Sequence, residues 1–192
     1  MNFIEAIILG IIQGISEFLP ISSTGHLTVA GKLMNLISNE NPEHWTAFIA
    51  VIQLGTLLAV LIYFWKDIIS IIKDFVLQNI VSRKKYSEQN INSKLGWLII
   101  IGTIPIVFIG LFFKDIIEGA LTKNLMVISG SLIGLAVILA VAEKVAKLKK
   151  DINQINIIDA IVIGIAQSLA LIPGSSRSGT TITGGLFMGL TR

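Results

Sequence analysis

Glu17, Ser22, Ser23, Thr24 and His26 put a carboxylate, three hydroxyls and an imidazole into one short stretch. The stretch runs Gln13-Gly14-Ile15-Ser16-Glu17-Phe18-Leu19-Pro20-Ile21-Ser22-Ser23-Thr24-Gly25-His26 and is set among Ile, Leu, Val, Phe and Gly. A carboxylate in such surroundings is costly unless a cation compensates it. A cation lies far along the chain, in Pro173-Gly174-Ser175-Ser176-Arg177-Ser178-Gly179-Thr180-Thr181. Apart from Lys32 and the terminal Arg192, Arg177 is the only Lys or Arg within the apolar segments. It has two compatible roles, counter-ion for Glu17 and phosphate ligand, and its chemistry favours the second. A guanidinium fork binds phosphate oxygens bidentately. The Gly and Ser residues around it, Ser176, Ser178 and Thr181 included, can wrap an anion with backbone N–H groups, hydroxyls and a helix N-terminus.

Glu17 suits a proton carrier, a metal ligand, a general base or a partner for Arg177. Gln13 lies four residues earlier, on the same helical face. A carboxylate with an amide carbonyl suits a hard divalent cation, Mg²⁺ or Ca²⁺, with substrate phosphate completing the shell. The chain has no Cys, so thiolate metal sites, disulfides and a thiol nucleophile are excluded. His26 is three residues after Ser23 and can reach a hydroxyl as general base or acid; a structural or interfacial role is its alternative. Ser22, Ser23 and Thr24 can each cap a helix after Pro20. Ser23 is the candidate nucleophile, against an activated water. His44 sits in a polar stretch and receives no role.

These groups need elements to hold them, and composition says what kind. Of 192 residues, 53% are hydrophobic and 14% charged, with a mean hydropathy of +0.81. A soluble domain is about 25% charged, so the chain reads as an all-α, polytopic integral membrane protein. The net charge of +3 is no nucleic-acid signature, because Lys and Arg fall mostly in two loops. The N-terminus lacks the basic region and cleavage site of a removable signal peptide. Three segments read as full spans: Trp45 to Trp65 with aromatic ends, Leu95 to Phe113 with a kink at Pro105, and Leu125 to Val141. Gln53, the main polar interruption of the first, reads as a helix-packing residue. Gly130 and Gly134 read as a close helix contact. Ile68 to Ile80 has the spacing of an amphipathic helix in the interface, and Ser82 to Lys94 that of a polar loop. Phe3–Leu19 with Leu27–Ile37, and Ile157–Ile172 with Thr180–Leu190, read as two re-entrant helix-loop-helix hairpins, whose irregular backbone must be covered by protein or line a wet cavity.

Loop charges orient the chain. Ten Lys or Arg lie in 66–94 and 144–150, against two, Lys114 and Lys123, in the alternate connections 38–44 and 114–124. The first pair of loops is therefore cytoplasmic. With three spans between them, the first hairpin enters from outside and the second from inside. The hairpins also match: Ala6, Gly10 and Gln13 with Ala160, Gly164 and Gln167 at an offset of 154, then Pro20, Ser22 and Ser23 with Pro173, Ser175 and Ser176 at 153. Similar segments from opposite faces make an inverted-topology repeat with a site where they meet. The whole reads as one integral membrane domain over 1–192, the first repeat covering about 1–113 and the second starting in about 125–192.

The two motifs resemble those of the undecaprenyl-diphosphatase, or bacitracin-resistance, family. Gln13 and Glu17 with the Ser-His segment to His26 are similar to its Glu/Gln-x-x-x-Glu signature, and Pro173 to Thr181 to its Pro-Gly-x-Ser-Arg-Ser-x-x-Thr signature. Phe48 to Val60, with Ile52-Gln53-Leu54-Gly55-Thr56, is similar too. The resemblance implies a metal-dependent enzyme of the bacterial plasma membrane that removes the terminal phosphate of the C55 isoprenyl diphosphate. It carries over Glu17, Ser23, His26 and Arg177 as active-site positions. Gln13 takes the Glu/Gln position, so a second carboxylate is absent. It also implies further membrane segments beyond Arg192. The expected partners are a polyprenyl diphosphate lipid and the membrane, with a homodimer allowed and no nucleic acid. The site is expected to open outward. The competing function is a lipid-phosphate or ion-coupled transporter or flippase, because inverted repeats with broken helices typify secondary transporters. A different lipid-phosphatase family needs a second His downstream of its Arg, and none follows Arg177.

Overall fold

Asn2 starts the first helix by a reciprocal cap. Its side chain accepts from the Glu5 N–H at 2.9 Å, and the Glu5 carboxylate accepts from the Asn2 N–H at 2.6 Å. This opens α1 (Phe3–Ser16) in a computed structural model that describes residues 1–37, 42–113 and 125–191. The described residues continue as α2 (Ser23–Leu33), α3 (Pro42–Tyr63), α4 (Trp65–Val76), α5 (Ile91–Phe112), α6 (Leu125–Val145), α7 (Ile157–Ser168) and α8 (Arg177–Phe187). Among them there is no β-strand, only an isolated bridge between Lys150 and Leu190.

The two ends of the chain use the same local devices. Asn156 and Asp159 repeat the reciprocal cap at the start of α7. Ser22 caps α2 by accepting from the Gly25 N–H, and Ser176 caps α8 by accepting from the Gly179 N–H. Both helices have 11 residues and end at a Met, Met34 and Met188. The following residue turns left-handed in each, Asn35 at φ 55° and Gly189 at φ 79°. One offset of 154 relates Asn2 to Asn156, Ser22 to Ser176 and Asn35 to Gly189. The caps thus pair Ser22 with Ser176, one place from the Pro-x-Ser-Ser alignment, because position along the helix decides which hydroxyl reaches the amide.

Among the described residues three helices are long and apolar enough to cross a membrane: His44–Tyr63 within α3, α5 and α6, of 20, 22 and 21 residues. At 1.5 Å per residue each is about 30 Å long. Their ends differ from the sequence expectation for local reasons. Phe64 leaves helical geometry (φ −95°, ψ 17°), so Trp65 opens α4. Asn90 caps the Ser93 N–H at 2.9 Å, so α5 starts four residues early. Pro105 lies inside an α5 that continues on both sides. The burial pattern is that of a protein in lipid. Gln13, Ser16, Ser93, Asp159, Thr180 and Thr183 are buried, while Ile7, Ile11, Leu58, Phe108 and Ile133 are exposed. Several buried hydroxyls donate back to the preceding turn, as Ser16 does to the Ile12 carbonyl and Thr183 to the Gly179 carbonyl.

α7 is held against α5, and α8 packs on both α7 and α6. The α5–α7 crossing is a glycine contact. A Cβ on Gly164 would overlap the Gly102 carbonyl, and one on Gly102 would press on the Ala160 carbonyl. Gly130 and Gly134, expected to make such a contact, have nothing within 4 Å of where a Cβ would sit among the described residues. The GxxxG spacing marks a smooth helix face, and here other helices use Gly102 and Gly164 instead. α4 packs its Phe75 on Gly96 and edge-on to Trp97. The connection from Ser82 is exposed as far as Glu88 and is then anchored: Gln89 and Ser93 are buried and tied to Asn79, whose side-chain carbonyl oxygen also accepts from Trp97 Nε1. At the α6–α7 turn, Lys150 Nζ donates to both oxygens of the fully buried Asp159, at 2.7 and 2.9 Å. The connections 38–41 and 114–124, with Lys114 and Lys123, lie outside the described residues.

Candidate active site

α1 stops at Ser16, and the next residues turn the chain so that α2 can start at Ser23. Gln13 is buried, and its Nε2 donates to Glu17 Oε2 at 2.8 Å. Ser23 Oγ donates to the same oxygen at 2.5 Å. The other polar atom of the Gln13 amide, Oε1, is buried without a hydrogen-bond partner among the described residues. Ser22 adopts φ 62° and ψ 95°, a left-handed backbone that costs a non-glycine residue about 1–3 kcal/mol. Its own contacts hold it there. Ser22 Oγ accepts from the Gly25 N–H, and its carbonyl accepts from the His26 N–H and from His26 Nδ1 at 2.9 Å. A carbonyl only accepts, so Nδ1 carries the ring proton. His26 is therefore bonded to Ser22, and the hydroxyl of Ser23 is bonded to Glu17.

The second loop is shaped by Gly174. Its φ is +90°, and a Cβ would overlap the Ile128 carbonyl and Ser131 Oγ. Ser131 Oγ donates to the Pro173 carbonyl, so α6 braces the turn. The loop then reaches back to the first hairpin. Ser178 Oγ donates to the Leu19 carbonyl at 2.9 Å, and Ser176 Oγ approaches the same carbonyl at 3.4 Å. Gly179 leaves room for Pro20, 3.3 Å from its missing Cβ.

Between the two loops is a cleft of about 390 Å³, counting its open mouth. Its lining is Glu17, Ser22, Ser23, Thr24, Gln53, Ser175, Ser176 and Arg177, with Ala170 the one apolar member among the described residues. The N-terminal turns of α2 and α8 both border it. Each first turn carries amides without an acceptor inside the helix and about +0.5 of a charge. Arg177 is the first residue of α8 and is exposed. Among the described residues it makes no ion pair with Glu17 or any other carboxylate; the ion pair seen is Lys150–Asp159. The cleft therefore combines a guanidinium and two helix N-termini with a carboxylate already bonded to a hydroxyl, and this arrangement suits an oxyanion that reacts.

Some residues singled out from sequence lie elsewhere. His26 is exposed and is not part of the cleft lining. Ser178 spends its hydroxyl on Leu19, and Thr181 donates to the Arg177 and Ser178 carbonyls while lining a separate groove with Pro20, Glu143 and Leu186. Conversely Gln53, read as a helix-packing residue, lines the cleft. The signal was present as a lone amide near the middle of an apolar span, but spacing alone does not say which way it faces. No group of three or more His, Cys, Asp or Glu is close enough to hold a metal among the described residues.

Residues 6–192 match the family model described as Bacitracin resistance protein BacA. The undecaprenyl-diphosphatase of Syntrophobacter fumaroxidans is 57% identical over 192 residues, which is all of this chain and 68% of that relative. The undecaprenyl-diphosphatase of Chloroherpeton thalassium is 50% identical over 199 residues, covering 67% of its length. Undecaprenyl-diphosphatase 2 of Agrobacterium fabrum is 46% identical over 193 residues, covering 66%.

Proposed function

The chain belongs to the bacitracin-resistance protein family, and from that premise we propose that it is an undecaprenyl-diphosphatase. It removes the terminal phosphate of undecaprenyl diphosphate and leaves undecaprenyl phosphate, the lipid carrier of cell-wall synthesis. The observation that carries this reading is the cleft, which brings Glu17 and Ser23 from one end of the chain to Arg177 from the other. Arg177 and the first-turn amides of α2 and α8 take the diphosphate oxygens. Ser23 Oγ attacks the terminal phosphorus and passes its proton to Glu17 Oε2, which already accepts its hydrogen bond. The bond from phosphorus to the bridging oxygen breaks, and the lipid monophosphate departs. Water then attacks the phosphorus of the phosphoserine, the bond from phosphorus to Ser23 Oγ breaks, Glu17 returns its proton to that oxygen, and inorganic phosphate leaves with both protons of the water. His26 is a positioning residue that steadies the strained Ser22 turn. Transport would need no hydroxyl–carboxylate couple.

A divalent cation, Mg²⁺ or Ca²⁺, fits the donors present. Gln13 Oε1 is a buried acceptor without a partner among the described residues, four residues from the Glu17 carboxylate. Those two residues would hold the ion, with phosphate oxygens completing its shell. When bound, it would neutralise charge on the phosphoryl group.

The reaction is tested by exposing purified protein to lipid diphosphate labelled in the terminal phosphate and quenching in acid. Wild type should retain label on a serine, and Ser23→Ala should lose both the label and about 10³-fold in rate, as when an activated group is removed. Hydrolysis by Ser23→Ala at the wild-type rate removes Ser23 from the chemistry. No hydrolysis by wild type removes the enzyme reading.

The matched caps at the two ends, with 11 residues in both α2 and α8, support an inverted-topology repeat of two re-entrant hairpins, and the family supports a place in the bacterial plasma membrane. Ten basic residues in 66–94 and 144–150 support a cytoplasmic position for those loops and an outward-opening cleft. The absence of Cys makes this testable in intact cells. A membrane-impermeant thiol reagent should label Thr24→Cys and spare Ser87→Cys; the opposite pattern inverts the orientation.

A further inference from the structure

We infer that Gln53 is a substrate-positioning residue whose side-chain amide contacts the phosphoryl oxygens of the lipid diphosphate. The inference rests on the diphosphatase reading and assigns a residue to the same cleft. Every other residue of the cleft lining comes from the two hairpins at the chain ends, whereas Gln53 comes from α3, a membrane-spanning helix. It is half-buried, twelve residues into a 22-residue helix whose neighbouring residues are Val51, Ile52, Leu54 and Gly55. An amide at that depth needs polar company. The residues that share its cleft include Glu17, Ser23, Thr24 and Arg177. Helix packing is therefore an incomplete account of it, because the residue lines a polar cleft.

The chemistry narrows its role. The near wall already supplies a base, since Glu17 Oε2 accepts from both Gln13 and Ser23. The far wall supplies positive charge, from Arg177 and the α8 N-terminus. A neutral amide adds a directional N–H donor without adding charge or a competing proton. On a third wall it can fix the rotation of a phosphoryl group held by the other two, so that the bridging oxygen lies in line with the attack from Ser23. Thr56, buried one turn later, donates Oγ1 to the Gln53 carbonyl at 2.9 Å, which fixes the backbone from which the amide projects.

The test uses two isosteric variants of the full chain in detergent, with lipid diphosphate as substrate and thermal unfolding measured alongside. Gln53→Leu keeps the volume and loses the donor. It should unfold at the wild-type temperature and lose about tenfold in kcat/KM, the cost of one hydrogen bond to a charged acceptor. Gln53→Glu keeps shape and length but faces the diphosphate with negative charge. It should lose about a hundredfold, more than Gln53→Leu, chiefly by raising KM. Wild-type kcat/KM in Gln53→Leu, or a Gln53→Glu variant no slower than Gln53→Leu, overturns the inference. So does a large fall in unfolding temperature in both variants, which assigns Gln53 to packing. Wild type that hydrolyses no diphosphate lipid defeats the underlying reading instead, and the two failures are told apart by that control.

Discussion

Arg177→Lys should fold normally and lose about 10²- to 10³-fold in kcat, the loss expected when one preorganised donor to a developing charge is removed. Folding should survive because the side chain holds nothing together. Its guanidinium makes no ion pair among the described residues. The local bonds at this position run through its backbone carbonyl, which accepts from Thr180 Oγ1 and Thr181 Oγ1 whatever the side chain. Lysine keeps the charge at the start of α8 but replaces a planar fork with a point charge, so bidentate contact with phosphate is lost. Steady-state kinetics in detergent, with circular dichroism as the folding control, would decide it. Near-wild-type turnover would show that charge alone suffices and that the fork does not grip phosphate.

Glu17→Gln should lose about 10²- to 10⁴-fold, the span assigned to a positioned proton acceptor. Two consequences add in this substitution. Ser23 loses the carboxylate oxygen that its hydroxyl meets at 2.5 Å, and a bound cation would lose the only carboxylate that lines the cleft among the described residues. Binding separates them. Wild type should bind Ca²⁺ by calorimetry, lose activity in EDTA and regain it with Mg²⁺ or Ca²⁺. Glu17→Gln should bind neither ion. Calorimetric Ca²⁺ binding retained by the variant would leave the proton role and remove the ligand role. Full wild-type activity after exhaustive chelation would remove the cation from the reaction.

The three long helices could be read from sequence because a run of apolar residues about 30 Å long has few other uses. Their ends could not, since Asn90 and Phe64 set them through single capping or backbone events that hydropathy does not weigh. Gln13, Glu17, Ser23 and Arg177 were visible because polar groups are expensive in apolar sequence. Their partners were not. Spacing put His26 within reach of Ser23, yet the left-handed turn at Ser22 gives the imidazole to a carbonyl and the hydroxyl to Glu17. Nothing in the residue types announces that torsion. Gln53 shows the same gap: periodicity placed it on a helix, and only the packing of α3 beside α1 put it on the cleft. The glycine pairs add a third case. Gly130 and Gly134 have the recognised spacing, while Gly102 and Gly164, on different helices, make the contact.

The Leu19 carbonyl receives its hydroxyls from Ser176 and Ser178, some 157 and 159 residues later. During synthesis the Leu19 carbonyl must therefore find other donors until almost the whole stretch to α8 has emerged. At about 5–20 residues per second the wait is on the order of ten to thirty seconds. A nascent chain arrested before α8 thus has Glu17 and Ser23 but neither Arg177 nor the hydroxyls that meet Leu19. The cleft takes shape only when the α8 N-terminus reaches the turn after α1.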